Sequence, residues 1–406
     1  MKVKAFRGIR PAAEMASQVA SVPYDTVNTE EARALAAGNP VSFLHVVRAE
    51  IDLAAGTDPY APEVYAQSAR ALSALREGGI LIQDETPQLY IYAITMGDHT
   101  QVGVVACCAV SDYEDGTIKR HEQTREDKLR DRVTLVNTLS ANSGPVFLTY
   151  KDEAGVSALV SVALKADPII DFVTPTGNRH ALWVVPDSAA LEAAFGQVPA
   201  GYIADGHHRA AAAAEVAKLR RAGTGAATAT DAGSDWFLCV LFPASQMNVM
   251  SYNRVIHDLN GQSPAGFLEA IGQLGTLTPG EAKVPAARGS VGIYLEGQWH
   301  LLTWDAVDRS DVVGRLDVSV LQDRVLEPLL GISDPRRDTR VDFVGGIRGI
   351  SELERLVDSG RGAVAFAMHP VEVADLIAIS DAGRLMPPKS TWFEPKLLSG
   401  LLVHAF

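Results

Sequence analysis

The apolar positions of this chain change rhythm repeatedly, from β-branched runs to residues spaced three and four apart, and each change marks an expected element. After an irregular opening to Asp25, Asn28 or Thr29 followed by Glu30 and Glu31 reads as a helix start, and Gly38-Asn39-Pro40 as its stop. The next run, VSFLHVVRAEID, is β-branched and apolar enough to predict a strand. APEVYAQSARALSALREGG repeats Val64, Ala71, Leu72 and Leu75 at helical spacing, with Ser68 interrupting the apolar face. QLYIYAIT and QVGVVACCAV then predict two strands around Gly97-Asp98.

From Thr117 the chain becomes highly charged and then helical, with Leu129, Val133 and Val136 on one face up to Ser143-Gly144. PVFLTY reads as a buried strand, followed by a helix near 154–165 and a strand around HALWVV. YIADGHHRAAAAAEVAKLRRAG sets a short strand directly against an Ala-rich helix, and AGTGAATATDAGS reads as a mobile surface loop. WFLCVLFP resumes as a strand. Beyond residue 251, SVGIYLE and WHLLTW are expected strands and VSVLQDRVLEPLLG and ELERLVDSG expected helices. No fixed-period repeat is present. The fold class this predicts is α/β, in its mixed α+β form. Three regions are expected: 1–116 and 251–406 as flanking α/β regions around a core at 117–250.

Composition narrows the class. At 406 residues the chain holds two or three units of about 150 residues, and 47% hydrophobic against 21% charged residues supports a buried core. A net charge of −13 disfavours general attraction to nucleic acid or an anionic membrane. Cys107, Cys108 and Cys239 form no C-x-x-C pair, which argues against a disulfide framework or zinc cluster and for a reducing compartment. With no apolar leader or long apolar span, a cytoplasmic protein is expected, with no membrane partner, and a homo-oligomer is compatible with this reading.

The densest chemistry is Asp205-Gly206-His207-His208-Arg209, which puts a carboxylate, two imidazoles and a guanidinium at a strand-to-helix turn. The first amides of a helix lack intrahelical partners and sit at the positive end of its dipole, so such a turn can hold a phosphate. A plain helix cap needs only one polar residue, and here there are four. Metal binding by Asp205, His207 and His208 competes weakly, because adjacent imidazoles diverge on a helix. A second cluster is Lys119-Arg120-His121-Glu122-Gln123-Thr124-Arg125, with Arg125, Lys128 and Arg132 at i, i+3 and i+7. His121 and Glu122 precede that helix, where a carboxylate can serve as a general base. Glu126 and Arg130 read as a solvated i,i+4 pair.

Pro23 ahead of Tyr24 and Asp25, and Pro388 ahead of Lys389, stiffen two loops that present those side chains. RRDTRVDFVGG offers Arg336, Arg337 and Arg340 beside Asp342, as a phosphate clamp or, by preference, a surface ion-pair patch. The usual phosphate-loop, Rossmann, zincin and hydrolase-elbow signatures are absent.

The order HEQTREDKLRDRV, GPVFLTY, YIADGHHRAAAA resembles the ParB and sulfiredoxin superfamily, most closely its free-serine kinase branch, over roughly residues 117–245. Over nearly the full length, from FRGIRP and VPYDTV through KRHEQTR and ADGHHR to MPPKSTWFEPKL, the chain resembles a widespread bacterial family of unknown function that shares this turn. The first resemblance implies a ParB/sulfiredoxin-like nucleotide-binding core. Gly206, His207, His208, Arg209 and Arg125 would hold the phosphates of ATP or ADP, Asp205 would carry Mg2+, and Glu122, with His121 and Asp205, would act on the acceptor hydroxyl. The activity it implies is phosphate transfer to a small hydroxylated metabolite, free L-serine above all. A nucleotide-binding switch and a metal-dependent phosphohydrolase are the alternatives. The chain departs from the kinase pattern in a long insertion between GPVFLTY and YIADGHHR and in its large flanks.

Overall fold

Runs such as Tyr90–Met96 and Trp236–Pro243 are apolar on both faces, which suits strands covered on both sides rather than a half-exposed ribbon. The computed structural model describes residues 1–224, 232–280, 284–305, 307–308 and 310–406, and most of the expected loop Ala222–Ser234 lies outside them. The chain forms two compact units, Met1–Met247 with Pro395–Phe406, and Asn248–Glu394.

The first unit is built on a nine-stranded mixed sheet. Its strands are β1 (Val3–Lys4), β2 (Tyr90–Met96), β3 (His99–Ala109), β4 (Ile118–Lys119), β5 (Val146–Tyr150), β6 (Ile170–Val173), β7 (Arg179–Val184), β8 (Gly201–Asp205) and β9 (Trp236–Pro243). Their order is β4-β8-β5-β9-β3-β2-β7-β6, with β1 paired to β3. Strands from both sides of residue 116 therefore share one sheet, so the expected boundary there separates no compact unit. The insertion between GPVFLTY and YIADGHHR supplies β6 and β7 at the edge opposite β4 and β8, where it does not come between the two charged motifs.

Helices α1 (Thr29–Ala36), α2 (Leu44–Val47), α3 (Pro62–Glu77), α4 (Glu126–Leu139), α5 (Ala154–Ala163), α6 (Ser188–Phe195) and α7 (His207–Thr224) complete this unit. Asn28 caps α1 by a capping box with Glu31, as the acidic first turn predicts. The expected strand VSFLHVVRAEID is instead α2 followed by a 3-10 turn at Ala49–Asp52. Phe43, Leu44, Val46 and Val47 are all buried in a cluster with Leu72 and Leu75 of α3. Packing onto α3 decides the conformation there, and β-branched propensity gives way to it. Ser68, which breaks the apolar face of α3, is itself buried and donates to the Val46 carbonyl.

The second unit carries an antiparallel six-stranded sheet of β10 (Tyr252–Ile256), β11 (Gly275–Pro279), β12 (Ser290–Leu295), β13 (Gln298–Trp304), β14 (Val341–Gly345) and β15 (Val364–Met368). The order is β11-β13-β12-β15-β10-β14. α8 (Ile350–Asp358) packs Leu353, Leu356 and Val357 onto it. The expected long helix VSVLQDRVLEPLLG is a short α-helical turn, Asp317–Leu321, that widens into a π-helix at Gln322–Leu326.

Candidate functional site

The two charged motifs are more than eighty residues apart in sequence and meet because of one strand pairing. β4 and β8 run parallel, with Gly201 opposite Ile118 and Tyr202 opposite Lys119, so both strands point the same way. Arg120-His121-Glu122 leaves the carboxyl end of β4, and Asp205-Gly206-His207 leaves that of β8. Carboxyl ends of strands in an open α/β sheet are where ligands usually bind.

At the second junction Gly206 has φ +94°, and a Cβ there would lie 2.9 Å from Arg209 Nε. Only glycine permits that turn at low cost. A bulge between Ile203 and Asp205 opposite β5 re-aims the strand end. α7 then starts at His207 and runs for 18 residues. Asp205 accepts from Arg209 at 3.2 Å, and Lys396 Nζ lies 3.9 Å from the same carboxylate oxygen. Burial would raise the Asp205 pKa, but Lys396 and then Arg209 outweigh it and hold the carboxyl well below its usual range. Arg209 also donates to the Pro145 carbonyl, which ties the turn to the start of β5.

The two histidines of the turn clasp the first motif. His207 Nε2 accepts from the His121 amide at 3.4 Å, and His208 Nε2 accepts from the Arg125 amide at 2.9 Å. His121 and His207 are buried, with ring centroids 4.5 Å apart in a T-shaped contact. Burial depresses the pKa of His121 to about 4, and burial followed by the neighbouring His121 depresses that of His207. A neutral His207 that accepts at Nε2 carries its proton on Nδ1, which faces Glu122 Oε2 at 3.8 Å. The imidazoles are thus uncharged clasps, and charge toward an anion comes instead from Lys396 and Arg209.

The remaining sequence candidates separate into two groups. Tyr24 lies under the Arg132 guanidinium, 3.9 Å from its ring centroid, and burial pushes its hydroxyl up to about 12. Asp25 is exposed; burial lowers the His208 pKa and Asp25 offsets part of that, and after Asp205 it also helps hold the Arg209 pKa up. Lys128 donates to Tyr60 at 2.6 Å. Tyr24, Tyr60, Lys128 and Arg132 line a cavity of about 250 Å³ together with Arg48 and Glu50. A smaller space of about 30 Å³, bounded by Tyr24, Arg132 and Arg209, adjoins the turn. Arg125 pairs with Asp127 at 2.8 Å and offers its backbone to His208. Glu126 and Arg130 form the expected solvated pair at 3.0 Å.

Lys389 belongs to the second unit, where its Nζ lies 5.7 Å from the Tyr252 ring centroid. The tail motif does reach the turn, through Lys396 seven residues later. Arg336, Arg337 and Arg340 form an ion-pair patch, but with Asp334 and Asp338, while Asp342 pairs with Arg361 and His257. Sequence reasoning missed Arg48 and Glu50, 3.0 Å apart, because they lay in the supposed strand.

Among the described residues no three His, Cys, Asp or Glu side chains gather to hold a metal ion. Asp205 faces two cations, Arg209 and Lys396, which does not suit a protein-built Mg2+ site. The three cysteines are buried and free, and among the described residues no helix is long and apolar enough to cross a membrane.

The family model described as protein of unknown function (DUF1015) matches residues 3–319. No curated protein matches the chain. Among solved structures it is similar to SbnI with C-terminal truncation from Staphylococcus aureus, at 10% identity over 73% of this chain and 85% of that one, TM-score 0.38. It is similar to free serine kinase in complex with ADP at 14% identity, 74% and 92% coverage and TM-score 0.34. A conserved hypothetical protein from Pyrococcus furiosus is similar at 13% identity, 74% and 95% coverage, TM-score 0.34.

Proposed function

The chain belongs to the DUF1015 family, and for it we propose a nucleotide-dependent kinase that transfers phosphate to a small hydroxylated metabolite. The observation that carries this reading is the meeting of the two motifs, with Glu122 3.8 Å from His207 at the head of α7. Phosphoryl transfer asks the protein mainly for positioned phosphates, charge neutralisation and a base near the acceptor hydroxyl.

Each requirement has a counterpart among these residues. The unpaired amides that open α7 face the Gly206 turn and suit nucleotide phosphates, ATP or ADP, with Arg209 and Lys396 adding positive charge. The acceptor belongs in the cavity bordered by Tyr24, Lys128 and Arg132, where Arg132 pairs with Asp131 and Arg48 with Glu50, and Lys128, held by Tyr60, is the cation for a carboxylated small molecule; the resemblance to the serine kinase branch makes free L-serine the first candidate. Its hydroxyl oxygen attacks the terminal phosphorus, the bond to the leaving phosphate breaks, and Glu122 accepts the hydroxyl proton. His207 Nδ1 faces that carboxylate at 3.8 Å. Mg2+ is required by most phosphoryl transfers from nucleotides, but no step here is assigned to it.

The test is to incubate the purified protein with ATP or ADP, Mg2+ and a panel of hydroxylated metabolites that includes L-serine, following phosphate transfer. Transfer to one acceptor is expected. Tight nucleotide binding with no transfer to any acceptor would favour the switch, and absence of nucleotide binding would remove the reading altogether.

A further inference from the structure

In the second unit, Arg254 on β10 is 3% exposed, and among the described residues no carboxylate pairs with it. Its guanidinium donates to the Tyr252 carbonyl and, at 3.2 Å, to the Lys389 carbonyl, and it lies 5.4 Å from the Phe343 ring centroid. Burial pulls its pKa down to about 10, the direction expected of a cation without a counter-charge. Buried charges are normally paired, because removing an ion from water is strongly unfavourable.

Arg254 lines a cavity of about 280 Å³ with Gln322, Asp334, Arg336, Pro387 and Pro388. Gln322 donates from Nε2 to the Ile332 carbonyl at 2.7 Å, while its Oε1 is shut off from solvent and accepts no hydrogen bond. The same residue opens the π-helix Gln322–Leu326, a distortion that recurs at ligand sites. Next to Pro388, Lys389 adopts φ +56°, a left-handed conformation that side chains rarely take, and its carbonyl accepts from Arg254. Asp334 is occupied by Arg336 at 3.0 Å, which leaves Arg254 as the buried cation of the cavity.

We propose that this cavity binds a compact organic anion bearing a hydroxyl group. The anionic group pairs with Arg254, whose guanidinium has five N–H donors and two carbonyl acceptors in the protein, and the hydroxyl donates to Gln322 Oε1. The cavity lies wholly in the second unit, so this site stands independently of the phosphoryl-transfer reading. Carboxylate and phosphate monoester share the required chemistry.

Calorimetric titration of the full chain with D-glycerate and with glycerol 3-phosphate separates these two sources, with propionate lacking the hydroxyl and glycerol lacking the charge. One of the first two should bind with Kd below about 1 mM, and propionate and glycerol at least about tenfold more weakly. Arg254→Lys should weaken binding at least about tenfold, because a point charge loses the forked contacts. If Arg254→Lys fails to fold, Gln322→Glu still decides. It places a carboxylate in the same cavity and should abolish anion binding, while the lost Nε2 donor to the Ile332 carbonyl should lower the thermal midpoint slightly. Failure of both anions to bind at 10-fold that concentration, about 10 mM, would overturn the proposal. So would a folded Gln322→Glu that leaves binding intact.

Discussion

Arg209 and Arg254 are both buried guanidiniums, one in each unit, and their pKa values move in opposite directions. Arg209 lies 3.2 Å from Asp205 and is 13% exposed; burial lowers its pKa, but Asp205 and Asp25 more than offset this and raise it. Among the described residues Arg254 meets carbonyls and a ring and no carboxylate, and burial lowers its pKa to about 10. A paired buried charge braces the backbone that carries it. An unpaired one marks a place where the counter-charge comes from outside the chain.

The sharpest way to break that contrast is to replace each arginine by methionine. Arg209→Met leaves Asp205 with Lys396 alone, 3.9 Å away, and frees the Pro145 carbonyl. A loss of up to about 3 kcal/mol is expected, below the range for fully buried pairs because Asp205 is 30% exposed. Arg254→Met strands no carboxylate and should cost less than half as much. Urea denaturation of the two variants measures both, and equal losses would show that Arg254 is as much a brace as Arg209.

Acid should separate the units next. His121, His180 and His404, each depressed to about 4 by burial, and His207, depressed well below its ordinary value by burial and then His121, all belong to the first unit. A folded histidine pKa below the unfolded value of about 6.5 means that the unfolded chain binds protons first. Stability from these groups is therefore full above about pH 6.5 and lost as pH falls toward 4, about 3 kcal/mol for His121 alone. Hydrogen exchange pulsed after steps from neutral pH should show the first unit losing protection before the second. Earlier opening of the second unit would contradict the assignment.

A smaller effect is expected at the turn itself. Gly206→Ala imposes a left-handed conformation and a clash with Arg209, at a cost of about 1–3 kcal/mol. Gly38→Ala, at φ +73° with no atom within 4 Å, carries the conformational strain alone. The gap between their thermal midpoints isolates the contact with Arg209. No gap would mean that Arg209 gives way freely and does not brace the turn.

Much of the site could be read from residue types alone. A capped helix start at Asn28, the apolar face of α3 and the strands Tyr90–Met96, Val146–Tyr150 and Trp236–Pro243 follow from periodicity and caps, which act locally. What could not be read depends on distant partners. Leu44–Val47 is helical because α3 packs on it. The two motifs meet because β4 pairs with β8, a two-residue pairing that no local pattern announces. Lys396 rather than Lys389 reaches Asp205 because the chain returns to the first unit at Pro395, between the two lysines. The histidines look like phosphate donors in sequence, and only their backbone partners reveal them as clasps.

Glu122→Gln bears most directly on the kinase reading. The change preserves size and polarity but leaves no carboxylate to accept a proton. Nucleotide affinity, measured by titration, should stay within a few-fold of the parent, while turnover on the acceptor identified by the panel falls by roughly 10²–10⁴. Turnover within a few-fold of the parent would show that Glu122 takes no proton, and the phosphoryl-transfer reading would lose its base.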